Sequence, residues 1–474
     1  PILGWPTPEG RTMAVVSPSN SLTLEVRYPS RPGMLAQITT AIGSAEGLIR
    51  DVHLLASEDG QTTRSLQVEA AAEEHQQQIV DAVSAVPELE LLSWSDRTFD
   101  LHRGGKIGIV NRQPVEDRDS LSRAYTPGVA RVCTRVKDDL AAAYRYTIKA
   151  NTVAVVSDGS AVLGLGNIGP YGALPVMEGK AMLFKQFAGI DAFPICLDTQ
   201  DVDEIVATVR AIAPVFGGIN LEDISAPRCF EVEERLQAEL DIPVFHDDQH
   251  GTAVVVAAGL SNAARVTGRE LANCRVVISG AGAAGMAVAK LLAQFGVGDL
   301  ILCDTKGAIH RERTVGMNRY KQAIAEVTNR DNCTGSLEEA LRGADVFIGV
   351  SGPNVLPASA LRVMAEQPMV FALANPTPEV DPQAAGQIAG VLATGRSDFP
   401  NQVNNAVAFP GIFRGLLDSR VPHVTRPMLI AAAEALAATV PAELLGPRMI
   451  IPSVFQEGVS DQVAAAVRRV AAEQ

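Results

Sequence analysis

The sequence predicts an α/β protein in three parts: a small antiparallel βαββαβ unit, a mixed α/β domain, and a doubly wound parallel sheet. Three observations carry this reading. Residues 22–94 alternate strand-like and helix-like patterns in that order. Val153–Val156 is a short β-branched run of the kind that forms strands buried on both faces. Residues 275–304 read as strand, glycine turn, amphipathic helix and strand. The 474 residues are enough for about three ordinary domains. A hydrophobic content of 47% fits a globular chain.

Charge and cysteine usage exclude several classes of function. The net charge of −14 argues against nucleic acid or an anionic membrane as partner. An anionic substrate would therefore need local cations or a metal to draw it in. The six cysteines are scattered, without a C-x-x-C, as suits buried thiols in a reducing cytoplasm. No apolar run reaches membrane-spanning length, and the N-terminus lacks the order of a secretory signal. The expectation is a cytoplasmic protein.

Residues 1–20 hold four prolines and read as a flexible lead-in. LTLEVRY, from Leu22, alternates as a strand does, Arg31-Pro32-Gly33 is a turn, and 34–45 has helical spacing. Strands at 49–57 and 62–70, a helix over 73–86 and a strand near 89–94 complete a ferredoxin-like unit over 21–96. The words SLTLEVRYPSRPGMLAQIT, residues 21–39, resemble an ACT domain, a regulatory module beside many metabolic enzymes. The resemblance implies a small effector near the Pro32-Gly33 turn, or simple pairing of domains.

Residues 97–118 combine Gly104-Gly105, charges and a proline, and are expected to be a linker. A substrate and metal domain is expected over 119–255, and the dinucleotide domain with helices packing back over 256–474. Tyr125 precedes Thr126-Pro127-Gly128, so a rigid turn should hold its ring. Gly164, Gly166 and Gly169 have G-x-G-x-x-G spacing. Pro170 interrupts the expected helix, however, and no acidic residue closes a following strand. Those glycines are read instead as a loop passing close over a substrate. Lys180 starts a helix expected over 179–188. Its apolar neighbours Ala181, Met182, Leu183 and Phe184 would desolvate it and favour the neutral, basic form.

Two acidic pairs lie at strand ends. Glu222 and Asp223 follow an apolar run over 213–221, and Asp247 and Asp248 follow Val244-Phe245. Such carboxylates can cap the helices that follow, or converge on Mg²⁺ or Mn²⁺, which take oxygen ligands. Neighbouring residues at a strand end point in different directions and can serve different partners. The helix expected from Thr252 to Val266 adds positive potential there.

A second G-x-G-x-x-G is stronger because it lies in context. Strand 275–279 leads into Gly280, Gly282, Ala283, Ala284 and Gly285, then a helix, then strand 299–303 ending at Asp304. This is the Rossmann fingerprint. Asp304 would accept the adenosine ribose hydroxyls and repel a 2′-phosphate, favouring NAD over NADP. Lys306 could compensate. Strands at 345–350 and 369–374 end in small or amide residues, as a sheet edge facing ligand does.

With these motifs in hand, residues from about 119 to 450 resemble a malic enzyme of the shorter bacterial class. AYTPGVA, VLGLGNIGPYGALPVMEGK, NLEDI, VFHDDQHGTA, FALANPTPEV and NNAVAFPG carry the resemblance. It implies oxidative decarboxylation of (S)-malate to pyruvate and CO₂ with NAD or NADP. Glu222, Asp223 and Asp248 would be metal ligands, Lys180 the general base, Asp247 its charge partner and Tyr125 the general acid. Asn375 and Asn405 would lie by the nicotinamide and the substrate carboxylate. Larger members of the family carry an arginine where this chain has Ala161, which leaves one substrate carboxylate to another group. A homo-oligomer, dimeric or dimer-based, is expected. The alternatives are a metal-independent amino-acid dehydrogenase with an accessory domain, and a non-catalytic metabolite sensor.

Overall fold

The computed structural model describes residues 16–474. The chain divides into two compact units, one ending at Gly108 and one spanning Ile109–Gln474.

The first unit is a four-stranded antiparallel sheet of order β2-β3-β1-β4, with β1 at Ser17–Pro29, β2 at Leu48–Glu58, β3 at Gln61–Ala70 and β4 at Glu90–Asp96. Leu22, Leu24 and Val26 alternate along β1 and are fully buried. Period-2 spacing sends all three to one face, where they join Ile38 and Ile42 of the helix Met34–Ser44 and Ile79 and Val83 of the helix Glu73–Ser84. Two expectations need correction. The part of the lead-in before residue 16 lies outside the described residues, but Ser17–Asn20 belongs to β1, with Ser17 paired to Ala70. The expected linker opens with a helix, Arg97–His102, because the Asp96 carboxylate accepts the Thr98 and Phe99 amides and so caps it. Thr98 Oγ1 also donates to the Ser19 carbonyl, tying that helix to β1.

The second unit holds two parallel sheets. One has the order β6-β5-β7-β8, with β5 at Thr152–Ser157, β6 at Asp191–Cys196, β7 at Gly218–Leu221 and β8 at Val244–His246. The strand order reverses between β5 and β7, which opens a crevice at their carboxyl ends. The run 213–221 is not one strand: Pro214 sits in a tight turn over Ala213–Val215, and pairing starts at Gly218. The other sheet runs β11-β10-β9-β12-β13-β14, from β9 at Arg275–Ser279, β10 at Asp299–Asp304 and β11 at Gly307–Ala308 to β12 at Val346–Gly349, β13 at Met369–Ala372 and β14 at Val391–Thr394. All its pairings are parallel except the β10–β11 hairpin, and its switch point lies between β9 and β12.

The helix Thr252–Thr267 runs unbroken through the expected domain border at 255/256. Its Ala and Val side chains are buried around nearly its whole circumference, so it is shared core rather than a hinge. Near the C-terminus, Arg426–Ala438 and Val459–Ala472 are helices, with irregular chain between them. The last helix packs Val463 and Val467 against Gly411 and Gly415 of the helix Phe409–Ser419, where any Cβ would come within 2.8 Å of those valines.

Candidate active site

The carboxyl ends of β7 and β8 bring the two acidic pairs together. Glu222 continues β7 through a hydrogen bond from its amide to the Val156 carbonyl of β5 (2.8 Å). Asp223 then turns the chain with φ +54, a left-handed conformation uncommon outside glycine. Its amide donates to Asp248 Oδ2 at 2.8 Å. Asp247 and Asp248 lie just past the end of β8 and open a π-helical turn, Asp247–Gly251, that leads directly into the helix Thr252–Thr267. They still diverge: Asp248 faces Asp223, and Asp247 faces Lys180.

Lys180 lies on a helix longer than expected, Gly169–Ala188. Pro170 sits in its first turn, where no amide hydrogen is needed, so it starts the helix rather than interrupting it. Phe184, one turn on from Lys180, stacks edge-on with Phe409 and Phe413 and fixes that face. Lys180 is only 7% exposed. Its Nζ lies 2.5 Å from Asp247 Oδ2, 2.9 Å from Glu222 Oε1 and 4.3 Å from the Phe409 ring centroid. The expected neutral lysine is not what this geometry favours: burial opposes the charge, but Asp247 and Glu222 outweigh burial and hold the ammonium above its ordinary range.

Glu222, Asp223 and Asp248 each place one carboxylate oxygen within 4.8 Å of the others. Asp223 Oδ2 is buried without a hydrogen-bond partner. Burial, with repulsion among the acids, raises all three carboxyls, and burial raises Asp247 to about 6 despite Lys180. One ammonium facing four carboxylates leaves room for a further cation, and the donor set is all oxygen, as Mg²⁺ or Mn²⁺ requires.

The glycine-rich loop meets the second sheet. A Cβ on Gly164 would lie 2.3 Å from the Asn375 carbonyl oxygen, so this glycine lets the loop touch the turn after β13. Asn375 Nδ2 reaches the Gly395 carbonyl at 3.4 Å. Asn405 begins a short turn beside Gly251, where a Cβ would meet both Asn405 Cβ (3.2 Å) and Asp247 Oδ1. Tyr125 stands apart from this group. It is 65% exposed at the end of the helix Arg118–Ala124, none of whose residues is buried.

At the β9–β12 switch point, Gly280 has φ +115, and a Cβ on it would lie 2.5 Å from the Val350 carbonyl oxygen. Gly285 packs its helix onto the Gly280 carbonyl, and Gly282 precedes the helix Ala283–Gln294 with open space before it. This geometry leaves room for a dinucleotide pyrophosphate at the start of the helix that Ala283 and Ala284 open. Residues 104–237 match the description of the malic enzyme N-terminal domain, and residues 249–472 that of the malic enzyme NAD-binding domain.

The chain belongs to the malic enzyme family.

It is similar to the NAD-dependent malic enzyme of Geobacillus stearothermophilus, 53% identical over 447 residues, or 94% of this chain and 93% of that one. It is also similar to the bifunctional malic/malolactic enzyme of Bacillus subtilis, 52% identical over 385 residues that cover 81% of this chain and 94% of that one. Among solved structures, an NAD-dependent malic enzyme from Thermotoga maritima matches with TM-score 0.76 at 49% identity, covering 79% of this chain and 99% of the other.

Several residues of this malic enzyme site escaped sequence reasoning. Buried Glu233 accepts from the His246 amide, Gln249 Nε2 and His250 Nε2, holding the turn that carries Asp247 and Asp248. It comes from a helix, Arg228–Glu239, whose sequence carries no motif. Buried Glu379 accepts from the Ser351 and Ala374 amides, joining the chain after β12 to that after β13. Asp158 follows β5 and pairs with Arg228 at 3.0 Å across the crevice. Gly251 was legible in principle, since a glycine immediately follows the HDDQH run.

Asp304 is paired within the chain. Its carboxylate is taken up by Arg313 and Lys321, which, against burial, keep the acid below its ordinary range.

Proposed function

We propose that this malic enzyme oxidatively decarboxylates (S)-malate to pyruvate and CO₂, with NAD as hydride acceptor and a divalent cation, Mg²⁺ or Mn²⁺, held by Glu222, Asp223 and Asp248. The observation that carries the reading is the convergence of three carboxylate oxygens within 4.8 Å beside the buried Lys180–Asp247 pair. The likeness to a relative named NAD-dependent supports the acceptor. The open cradle at Gly280, Gly282 and Gly285 fits its pyrophosphate.

When bound, the cation supplies Lewis-acid polarisation of the substrate's C2 oxygen and charge for the enolate oxygen that follows. Glu222 would be among the residues that hold that cation, which would leave Asp247 as the counter-charge of Lys180 and let its ammonium pass a proton to solvent. The neutral amine then takes the C2 hydroxyl proton of malate as the C2 hydride departs. The resulting oxaloacetate loses C4 as CO₂, and the enolpyruvate takes a proton at C3; the family resemblance gives that role to Tyr125, although this chain holds it exposed and outside the Lys180–carboxylate group. Asn375 and Asn405 are placed in this reading as amide donors to the nicotinamide and a substrate carboxylate. Asn405 shares the Gly251 contact with Asp247, and Asn375 meets the glycine loop.

A homo-oligomer belongs to the same reading, because Leu121, Tyr125, Leu140 and Tyr146 are exposed on or at the ends of helical segments that bury little. Light scattering of the purified chain tests it. A small effector is proposed at the Arg31–Gly33 turn of the N-terminal unit, to be sought by thermal shift with amino acids.

The decisive assay follows malate-dependent reduction of NAD with and without Mn²⁺ and measures pyruvate. Reduction matched by pyruvate, lost in excess chelator and restored by Mn²⁺, is expected. Undiminished activity in chelator, or reduction without pyruvate, would overturn the proposal.

A further inference from the structure

A cavity of about 260 Å³ borders the turn that carries Asp247 and Asp248, and none of the roles above uses it. It is enclosed by the helix Arg228–Glu239, by Gln249 and His250 with the start of the helix Thr252–Thr267, by the helix Ala283–Gln294, and by the first turn of the helix Arg426–Ala438. The space is open because Ala253 and Ala287 face it, each with only a methyl group to offer. Phe230, Leu291 and Leu429 give it an apolar wall. Its volume lies just below the roughly 300–1,000 Å³ of sites for drug-sized ligands, which suits a smaller molecule.

The charges around the cavity do not balance. Glu233 is spent: its oxygens accept from the His246 amide (3.1 Å), His250 Nε2 (2.8 Å), Gln249 Nε2 (2.9 Å) and Gln237 Nε2 (3.3 Å), about as many donors as a carboxylate takes. Glu234 accepts from Arg319 Nη2 and the Tyr320 hydroxyl. Lys290 and Arg426 line the same cavity, and among the described residues neither has an acidic partner. Lys290 Nζ lies over the Phe230 ring, 5.8 Å from its centroid, so the ammonium is turned towards the apolar wall. Both cations are exposed, which puts the positive end of the cavity at its rim and the apolar part inside. An anion with an apolar body matches that order.

We propose that this cavity is a second ligand site, separate from the carboxylates around Lys180, for a small organic acid. Its carboxylate pairs with Lys290 and Arg426, and its apolar body lies against Phe230, Leu291 and Leu429. An occupant there touches the helix Arg228–Glu239, which packs on the sheet that bears the acidic pairs, and the helix Ala283–Gln294 of the dinucleotide sheet. It also rests against Gln249 and His250, in the turn that Asp247 and Asp248 open. The ligand thus bridges the two sheets of the unit from outside the catalytic group.

Binding tests this apart from turnover. Benzoate is the probe, with benzamide as the same body without the charge and acetate as the charge with little body. Each is titrated calorimetrically into the full chain, into the double variant Lys290→Ala/Arg426→Ala, and into Asp248→Ala. Benzoate should bind the full chain more tightly than either analogue. The double variant should weaken benzoate by about tenfold or more, the loss of charged hydrogen bonds, and should keep its malate turnover. Asp248→Ala, at the carboxylate cluster, should bind benzoate as the full chain does. No benzoate binding by the full chain, equal binding of benzamide, or unchanged affinity in the double variant overturns the inference. Benzoate binding that is lost in Asp248→Ala and kept in the double variant places the probe at the catalytic group and overturns it as well.

Discussion

Gly251 faces Asp247 so closely that a Cβ at position 251 would lie 1.8 Å from the Oδ1 atom of that carboxylate. The glycine has ordinary helical backbone angles, so the requirement is one of space and not of conformation. Asp247 is fully buried and spends its other oxygen on Lys180, which leaves it no retreat. Gly251→Ala should therefore displace Asp247, lower stability by about 1–3 kcal/mol and cut malate turnover. Chemical denaturation and steady-state kinetics check this. Wild-type values for both would show that the turn can yield.

Asp248 offers one of the three clustered carboxylate oxygens and also accepts the Asp223 amide. Asp248→Ala should abolish turnover and Mn²⁺ binding together, since a hard cation does not readily replace an anionic oxygen ligand. Electron paramagnetic resonance titration of Mn²⁺ reports the binding directly. Normal affinity for the ion in that variant would remove Asp248 from the ligand set.

Lys180 and Tyr125 are assigned different proton transfers, and they differ as sharply in setting, one buried and one exposed. Lys180→Ala should slow malate oxidation by about 10² to 10⁴-fold. Tyr125→Phe should mainly slow hydrogen exchange at C3 of pyruvate, measured with Mn²⁺ and reduced nucleotide present. Wild-type exchange in Tyr125→Phe would pass the acid role to another group, with Lys180 the first to examine.

The buried acids also make the metal's effect on stability depend on pH. Burial, with repulsion from Asp248 and Glu222, raises Asp223 to about 9, and burial raises Asp247 to about 6. The folded metal-free chain thus keeps protons that the unfolded chain releases at about pH 4. Its stability should fall as pH rises through that window, because the folded state binds more protons than the unfolded one. Lys180 stays protonated in both states over this range and adds no slope. The gain in melting temperature on adding Mn²⁺ should accordingly be larger at pH 8 than at pH 6. An equal gain at both would show that these carboxyls ionise freely in the metal-free fold.

Much of the site could be read from local pattern. Gly280, Gly282, Gly285 and Asp304 were found because the dinucleotide turn is encoded in one contiguous run, with strand and helix signals on either side. The acidic pairs were visible because both strands end at them. Glu233 and Glu379 were not visible, since their importance lies in backbone amides that come from elsewhere in the chain.

The sequence by itself determined the α/β class, the order of the elements and the residue types gathered at strand ends, because hydrophobic period and turn chemistry act over a few residues. Only the tertiary structure decided the charge state and occupancy of the key groups. Lys180 was expected to be neutral from its apolar helix neighbours, and is held charged by Asp247 and Glu222, which lie 67 and 42 positions away in the chain. Asp304 was expected to accept ribose hydroxyls, and its carboxylate already accepts from Arg313 and Lys321, on the loop and helix that follow β10. Burial and charge pairing depend on distances through space, and those are fixed only when the separate strands and helices pack.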